Sequence, residues 1–161
     1  MQKKTKKIAI TGHTKSLGKS LFDSLAIKHQ VAGFSRSNGF DIKNPFQRAS
    51  IVEAVKDFDV FINLVHNYYH QSDMLFELHK SWRGTNRAII NISSKVVSSD
   101  NWALDNYEMM EYKVQKINLE SMSLHLNKIN TLPKLITYTI SEINIEVDTN
   151  NIIKLINEEI L

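Results

Sequence analysis

A tyrosine and a lysine four residues apart, Tyr112 and Lys116, are the side chains in this sequence best suited to acid–base chemistry. Free tyrosine has a pKa of roughly 10 and exchanges protons poorly at neutral pH. A lysine ammonium nearby favours the phenolate and lowers that pKa toward the working range. On a helix, side chains at i and i+4 share one face, so the spacing lets the two groups meet. Tyr112 is therefore predicted to donate or accept a proton, with Lys116 adjusting it.

A second chemical feature lies near the start of the chain, where a short apolar segment runs into a turn of small residues. The free N–H groups and positive dipole end of a helix N-terminus stabilise the pyrophosphate of a dinucleotide. Close approach requires a turn without bulky side chains between strand and helix. This turn predicts a phosphate-binding site made of Gly12, Thr14, Lys15, Ser16, Leu17 and Gly18. Taken alone, it also fits an ordinary strand–helix corner.

The loop after the second predicted strand indicates which dinucleotide would bind. In dinucleotide-binding folds an acidic residue there bonds the ribose 2′-hydroxyl of NAD, whereas an arginine accommodates the 2′-phosphate of NADP. This loop reads Ser35-Arg36-Ser37, without an acid. Arg36 can form two N–H bonds to a phosphate, and the serine hydroxyls can add donors. NADP(H) is therefore predicted in preference to NAD(H). The alternative is that Arg36 is a solvated loop charge.

These motifs, in this order, resemble the short-chain dehydrogenase/reductase family. The turn is similar to that family's Thr-Gly-x-x-x-Gly-x-Gly, with Ser16 in place of the middle glycine, and Tyr112 and Lys116 match its Tyr-x-x-x-Lys. The chain is shorter than typical members. The resemblance implies an NADP(H)-dependent oxidoreductase that transfers hydride between the nicotinamide and a carbonyl or alcohol substrate. The alternative is a non-catalytic NADP(H)-binding or regulatory module derived from the same fold.

The resemblance also assigns residues around the cofactor. Asp41 and Ile42 resemble the family's acidic and apolar residues at the adenine ring, and Asn63 matches its asparagine at the end of a strand. Lys15 stands where NADP-preferring members often carry a basic residue. Lys116, with Tyr112, would also lie against the cofactor, because the family's lysine bonds the nicotinamide ribose.

The substrate oxygen is the remaining element that the resemblance implies. Ser94 closes an Ile-Ser-Ser segment and would hold the substrate carbonyl. The gap from Ser94 to Tyr112 is longer than usual for the family. Three other serines therefore stay open as the partner of the tyrosine: Ser93, Ser98 and Ser99. Asn67 is the candidate for the family's catalytic asparagine.

The elements that must position these residues alternate along the chain between strand and helix. Such alternation predicts a doubly wound parallel sheet in a Rossmann-like, three-layer α/β/α fold. The predicted strands are Lys7–Thr11, Gln30–Ser35, Asp59–Val65, Arg87–Ile92 and Leu135–Ile140. The predicted helices are Leu17–His29, Phe46–Lys56, Ser72–Trp82, Asn106–Leu126 and Ile152–Ile160.

Length and composition fit one domain over residues 1–161, with a basic arm at 1–6 and a shortened C-terminal region at 141–161. Apolar residues make up 42% and charged residues 23%, as in ordinary globular proteins. The chain has no cysteine, and no apolar run is long enough to span a membrane, so a cytoplasmic location is expected. The net charge of +3 and the basic arm do not by themselves predict nucleic-acid binding.

Two histidines, His66 and His70, have the spacing of metal ligands, but no carboxylate motif accompanies them, and no metal site is predicted. The expected partner is a small-molecule carbonyl or alcohol. A homo-dimer or homo-tetramer, formed through the long helix that holds Tyr112, is expected by analogy with the family.

Overall fold

The computed structural model describes residues 5–99, 106–140 and 144–160. Five parallel strands form one sheet, and helices cover both of its faces. The strands are β1 (Lys7–Thr11), β2 (Gln30–Phe34), β3 (Val60–Asn63), β4 (Ala88–Ser94) and β5 (Lys134–Ile140). The helices are α1 (Ser16–Ala26), α2 (Pro45–Ala54), α3 (His70–Trp82), α4 (Tyr107–Ile129) and α5 (Ile145–Leu155). The predicted Rossmann-like α/β fold is confirmed.

The order of the strands locates the place where a ligand can bind. The sheet runs β2-β1-β3-β4-β5, so the chain reverses its direction of travel across the sheet after β2. In doubly wound sheets the crevice at this reversal lies outside the carboxyl ends of the strands, here β1 and β3. Thr11 ends β1 and Asn63 ends β3. The phosphate turn and the segment after Asn63 therefore meet at one edge.

Alternating side chains build a separate apolar core on each face of the sheet. On one face Ile8, Ile10 and Ile62 pack against α1 and α5. On the other face Ala9 and Phe61 pack against α2, α3 and α4. Successive residues of a strand point to opposite faces, so a sheet covered on both sides needs the continuous apolar runs that the sequence shows.

Asparagine side chains begin three of the helices. Asn44 accepts the N–H of Phe46 before α2, and the helix continues with Pro45 at its first turn, the position where proline is best tolerated. Asn106 accepts from Met109 before α4. Asn144 accepts from Glu146 and Val147, so α5 begins at Ile145. The prediction that this helix begins at Ile152 is wrong, because it overlooked the cap.

Several other boundaries differ from the predictions by a few residues. Helix α3 begins at His70 instead of Ser72, and α1 ends at Ala26 instead of His29. Strand β3 is shorter than predicted, whereas β4 continues through Ser94 because it pairs with β5 along its whole length. Helix α5 is followed by a π-helical turn at Ile156–Ile160. Among the described residues, no helix is long and apolar enough to cross a membrane.

Parts of two predicted segments lie outside the described residues. Positions 1–4 of the basic arm are among them, as are positions 141–143 at the start of the shortened C-terminal region.

Candidate active site

The phosphate turn is tight because two glycines lie in contact. Gly12 has a φ of 75°, in the left-handed region that glycine adopts without strain. A Cβ on Gly18 would lie 1.9 Å from the carbonyl oxygen of Gly12, and one on Gly12 would lie 2.5 Å from Val65 Cγ2. Only hydrogen fits at either position. The start of α1 can therefore approach the end of β1 closely enough to form a phosphate cradle.

The first turn of α1 begins beside the cavity. Its N-cap residue, Lys15, makes no side-chain capping bond within the described chain, so the first N–H groups of the helix are available to a phosphate. Thr14 and Lys15 line the cavity beside the turn, while Leu17 and Gly18 are buried beneath it. Ser16 has a φ of 46°, a left-handed conformation that a serine holds at some cost.

Thr11 joins this turn to the loop after β3. Its hydroxyl accepts the backbone N–H groups of Leu64, at 3.0 Å, and Val65, at 3.2 Å. It also donates to the carbonyl oxygen of Ile62. The two loops that border the crevice are thus held together by one fully buried side chain.

The cavity at the switch point has a volume of about 620 Å³, and the predicted cofactor residues form much of its wall. Of the predicted residues, Gly12, Thr14, Lys15, Ser35, Arg36, Ser37, Asp41 and Ile42 line it. The hydroxyls of Ser35 and Ser37 lie 2.7 Å apart, and Arg36 is exposed beside them. Arg36 forms no ion pair among the described residues. Two serines and one arginine therefore line this corner of the cavity without a neutralising carboxylate on the arginine.

The corner made by Asp41 and Ile42 is held by a buried arginine. Arg48 donates to the carbonyl oxygen of Ile42 at 2.7 Å and forms an ion pair with Glu77 of α3 at 2.9 Å. Gln47 accepts the N–H of Asp41. Two helices thereby fix the cavity wall that the resemblance assigns to the adenine ring.

Tyr112 and Lys116 lie on one face of α4, as their spacing predicts. The ammonium is 5.6 Å from the centre of the tyrosine ring. Lys116 is 3% exposed, whereas Tyr112 keeps part of its surface open. The pair therefore combines a buried charge with an accessible phenol.

Two hydrogen bonds, burial and one nearby charge define the state of the lysine. Its ammonium donates to Gln71 Oε1 at 2.8 Å and to the carbonyl oxygen of Ile92 at 3.0 Å. Burial lowers the pKa of Lys116 to about 8, and the carboxylate of Glu120, one turn along α4, opposes that change. Glu120 also accepts the hydroxyl proton of Ser93.

His66 packs against Tyr112, beside Lys116. Its ring lies edge to face on Tyr112 with 4.6 Å between ring centres, and the residue also lines the cavity. The side chain keeps exposed surface, but partial desolvation, followed by the charge of Lys116, lowers the pKa of His66 to about 4. A hydrogen bond with Gln115 opposes this effect. The imidazole beside the phenol is therefore neutral at neutral pH.

The four candidate serines differ in their surroundings. Ser94 is fully buried at the end of β4, where its hydroxyl accepts the N–H of Val96. The hydroxyl of Ser93 is bound to Glu120. Ser98 donates to the carbonyl oxygen of Lys95. Ser99 accepts from Lys113 through its backbone oxygen. Ser94 stays the candidate for the substrate oxygen.

The two candidate asparagines lie on opposite sides of the cavity wall. Asn63 is fully buried, and its Nδ2 donates to the backbone oxygen of Gln71 and to Asn91 Oδ1. Its side chain therefore belongs to a polar network beneath the cavity, and the assignment of Asn63 to cofactor contact stays a prediction. Asn67 lines the cavity.

The histidine pair is not arranged for a metal. His70 lies in the first turn of α3, and its Nδ1 is 2.9 Å from Asp73 Oδ2. In the part of the chain that the structure describes, no group of three or more histidine, aspartate or glutamate side chains could hold a metal ion.

No protein-family model and no curated protein matches this chain. Solved structures do. A small-chain dehydrogenase superposes with a TM-score of 0.77 at 14% identity, over 98% of this chain and 93% of that one. An oxidoreductase of the short-chain dehydrogenase/reductase family from Brucella ovis, in complex with a partially ordered NAD, gives 0.71 at 11% identity, over 97% and 94%.

A short-chain dehydrogenase from Burkholderia cenocepacia J2315, in complex with NADP, gives a TM-score of 0.69 at 19% identity, over 86% of this chain and 72% of that one. The chain therefore has the fold of the short-chain dehydrogenase/reductase structures, in agreement with the resemblance that its motifs indicate.

Three site residues were not found from the sequence: Gln71, Glu120 and Arg48. Each acts through a side-chain contact with another part of the chain, and no local motif marks it. His66 was noted only as one of a histidine pair. Its contact with Tyr112 joins a loop to a helix and has no signal in the sequence.

Proposed function

We propose that this protein is an NADP(H)-dependent oxidoreductase of the short-chain dehydrogenase/reductase family that interconverts a carbonyl compound and its alcohol. One observation carries the proposal. The buried ammonium of Lys116 lies beside Tyr112 at the carboxyl edge of the sheet, where His66 connects the pair to the cavity. A buried lysine next to a phenol is a costly arrangement that a purely structural helix does not need.

The lining of the cavity supports binding of NADP(H), a dinucleotide with an additional 2′-phosphate. The glycine contact leaves room for a pyrophosphate at the start of α1, where Lys15 adds a positive charge. Arg36, Ser35 and Ser37 would hold the 2′-phosphate that distinguishes NADP from NAD. Asp41 and Ile42 would border the adenine. When bound, the nicotinamide supplies or accepts a hydride.

Side chains of the protein would transfer the proton to and from the substrate oxygen. In the reducing direction Tyr112 gives its phenolic proton to the carbonyl oxygen as hydride reaches the carbonyl carbon. In the oxidising direction the phenolate takes the proton from the alcohol as hydride leaves the same carbon. The Lys116 ammonium favours the phenolate through its charge. Ser94 would orient the substrate oxygen with its hydroxyl.

The direct test is a titration of the protein with NADPH and NADH, followed by a panel of aldehydes and ketones with NADPH. Wild type should bind NADPH and reduce at least one compound. Tyr112→Phe should bind NADPH as tightly and lose turnover, since only the phenolic hydroxyl is removed. The absence of binding by either cofactor would refute the proposal.

The alternative is a non-catalytic NADP(H)-binding module. It is favoured by His66, whose ring covers one side of Tyr112 and borders the cavity. Binding of NADPH without turnover by wild type or by His66→Ala would support this alternative. Turnover that appears only in His66→Ala would show that the ring blocks the phenol.

The proposed assembly is a homo-dimer or homo-tetramer through α4. That helix exposes four apolar side chains at helical spacing: Met110, Val114, Ile117 and Leu124. Sedimentation of wild type and of a Val114→Glu, Ile117→Glu double variant tests the assembly. A wild type that sediments as a monomer at micromolar concentration refutes it.

A further inference from the structure

The side-chain amide of Gln71, in the first turn of α3, is buried and hydrogen-bonded at both ends. Its Nε2 donates to the backbone oxygens of Asn63, at 2.8 Å, and Ile92, at 3.0 Å. Its Oε1 accepts from Lys116 Nζ at 2.8 Å. A flipped amide would place Oε1 against two carbonyl oxygens and an NH₂ against an ammonium. The surroundings therefore fix the amide so that its oxygen faces the lysine.

The position of the ammonium follows from the same contacts. The backbone oxygen of Ile92 accepts from both Gln71 and Lys116, so amide, ammonium and strand end form a closed set of hydrogen bonds. An ammonium has three donors, and these contacts use two of them. Among residues 5–99, 106–140 and 144–160, the third donor has no hydrogen-bond acceptor.

We propose that Gln71 is a positioning residue that holds the Lys116 ammonium beside Tyr112. The inference rests on the proposed function, because the position matters only if the tyrosine exchanges protons. Gln71 acts through Lys116 and takes no part in proton transfer. Its amide spans the ends of β3 and β4, so it sets the lysine relative to both strands.

Other groups also act on the lysine and must be separated from Gln71. Glu120 and Tyr112 face it from α4 itself, and His66 faces it from the loop after β3. From α3 the contact is the neutral Gln71, and from β4 it is a backbone oxygen. Substitution of Gln71 changes one of these contacts and leaves the charged groups in place.

The first experiment measures the pKa of Lys116 by NMR of labelled lysine side chains, with Lys116→Met used to assign the signal. In Gln71→Met the acceptor is lost and the charged form is less stabilised, so the pKa should fall by about one unit. In Gln71→Glu the new carboxylate should raise it. Asn91→Ala is the matched control: it truncates another buried amide of the same network but leaves the lysine contact, and the pKa of Lys116 should not change.

The second experiment measures NADPH binding and carbonyl turnover across pH for the same variants. Gln71→Met should lose at least about tenfold in kcat, and its pH profile should move to lower pH with the lysine. An unchanged lysine pKa in both Gln71 variants would overturn the inference. So would an active Gln71→Met variant with wild-type kcat and pH profile.

The two proposals fail in different ways. If wild type binds no NADPH, the proposed function fails, and the NMR titration alone decides whether Gln71 holds the ammonium. If wild type is active and the Gln71 variants keep its lysine pKa, kcat and pH profile, the positioning role fails and the proposed function stands.

Discussion

Lys116 should give the stability of the protein a pH dependence that a variant without this lysine lacks. Burial lowers the pKa of Lys116 from 10.5 to about 8. The folded state therefore holds this proton less tightly than the unfolded chain does. That difference corresponds to about 3 kcal/mol of unfolding free energy.

The sign follows from proton binding. Between pH 8 and 10.5 the unfolded chain binds more protons at this lysine than the folded protein does, so stability rises with pH over that window. Below pH 8 both states are protonated, and the full penalty remains. Lys116→Met removes this titration. We expect the unfolding free energy of the variant, measured relative to wild type, to fall by about 3 kcal/mol from pH 7.5 to pH 10.5.

Urea unfolding at several pH values, followed by circular dichroism, measures both free energies. Comparison of the two proteins at each pH cancels the titration of groups on which the charge of Lys116 does not act. Lys19→Met is the matched control, because Lys19 is a largely exposed lysine at the start of α1, and its difference from wild type should stay within about 0.5 kcal/mol at every pH. A difference between Lys116→Met and wild type that does not change with pH would refute the reasoning.

Three further predictions concern the cofactor turn, its specificity and the histidine at the phenol. Ser16→Gly removes the strain of a serine in the left-handed backbone region, which is about 1 kcal/mol, although glycine adds an entropic cost to folding. The substitution should raise Tm by up to about 2–4 °C, and a lower Tm would contradict this prediction. Arg36→Ala should weaken NADPH binding about tenfold or more in calorimetry, while NADH binding stays unchanged, and equal loss of both cofactors would argue against a 2′-phosphate contact. The pKa of His66 is lowered to about 4, so the folded state should lose stability as pH falls from 6.5 to 4. His66→Ala should lack this part of the pH dependence. A titration midpoint near 6.5 for the His66 imidazole in NMR would exclude the effect.

The sequence was sufficient where a local pattern has one physical meaning. The apolar runs of the parallel strands, the glycines at positions 12 and 18, and the four-residue spacing of Tyr112 and Lys116 each predict what the structure shows. Each depends on backbone geometry within a few residues. The same patterns predicted the order of strands and helices, because parallel strands joined by helices have few ways to connect.

The remaining features depend on contacts between distant residues. Gln71 and Lys116 are 45 positions apart, and nothing near Gln71 distinguishes it from a surface glutamine on a helix. Asn63 is predicted as a cofactor contact from its place at a strand end. The direction of its side chain depends on a hydrogen bond to the backbone oxygen of Gln71 in α3, which the sequence does not reveal. The prediction placed the start of α5 at Ile152 from the spacing of apolar residues. The helix begins at Ile145 because the side chain of Asn144 caps it there.

The place of Gln71 in α3 has a consequence for how this chain tolerates change in length. The helix reaches the lysine from its first turn, and the rest of it, as far as Trp82, packs on the sheet at a distance from the ammonium. The far end of α3 carries Trp82, which is fully buried and packs edge to face on Phe61, so a change of length there would first disturb the core. The two ends of this one helix therefore have different tasks: the first turn holds the ammonium of Lys116, and the last turn fills the core beside β3.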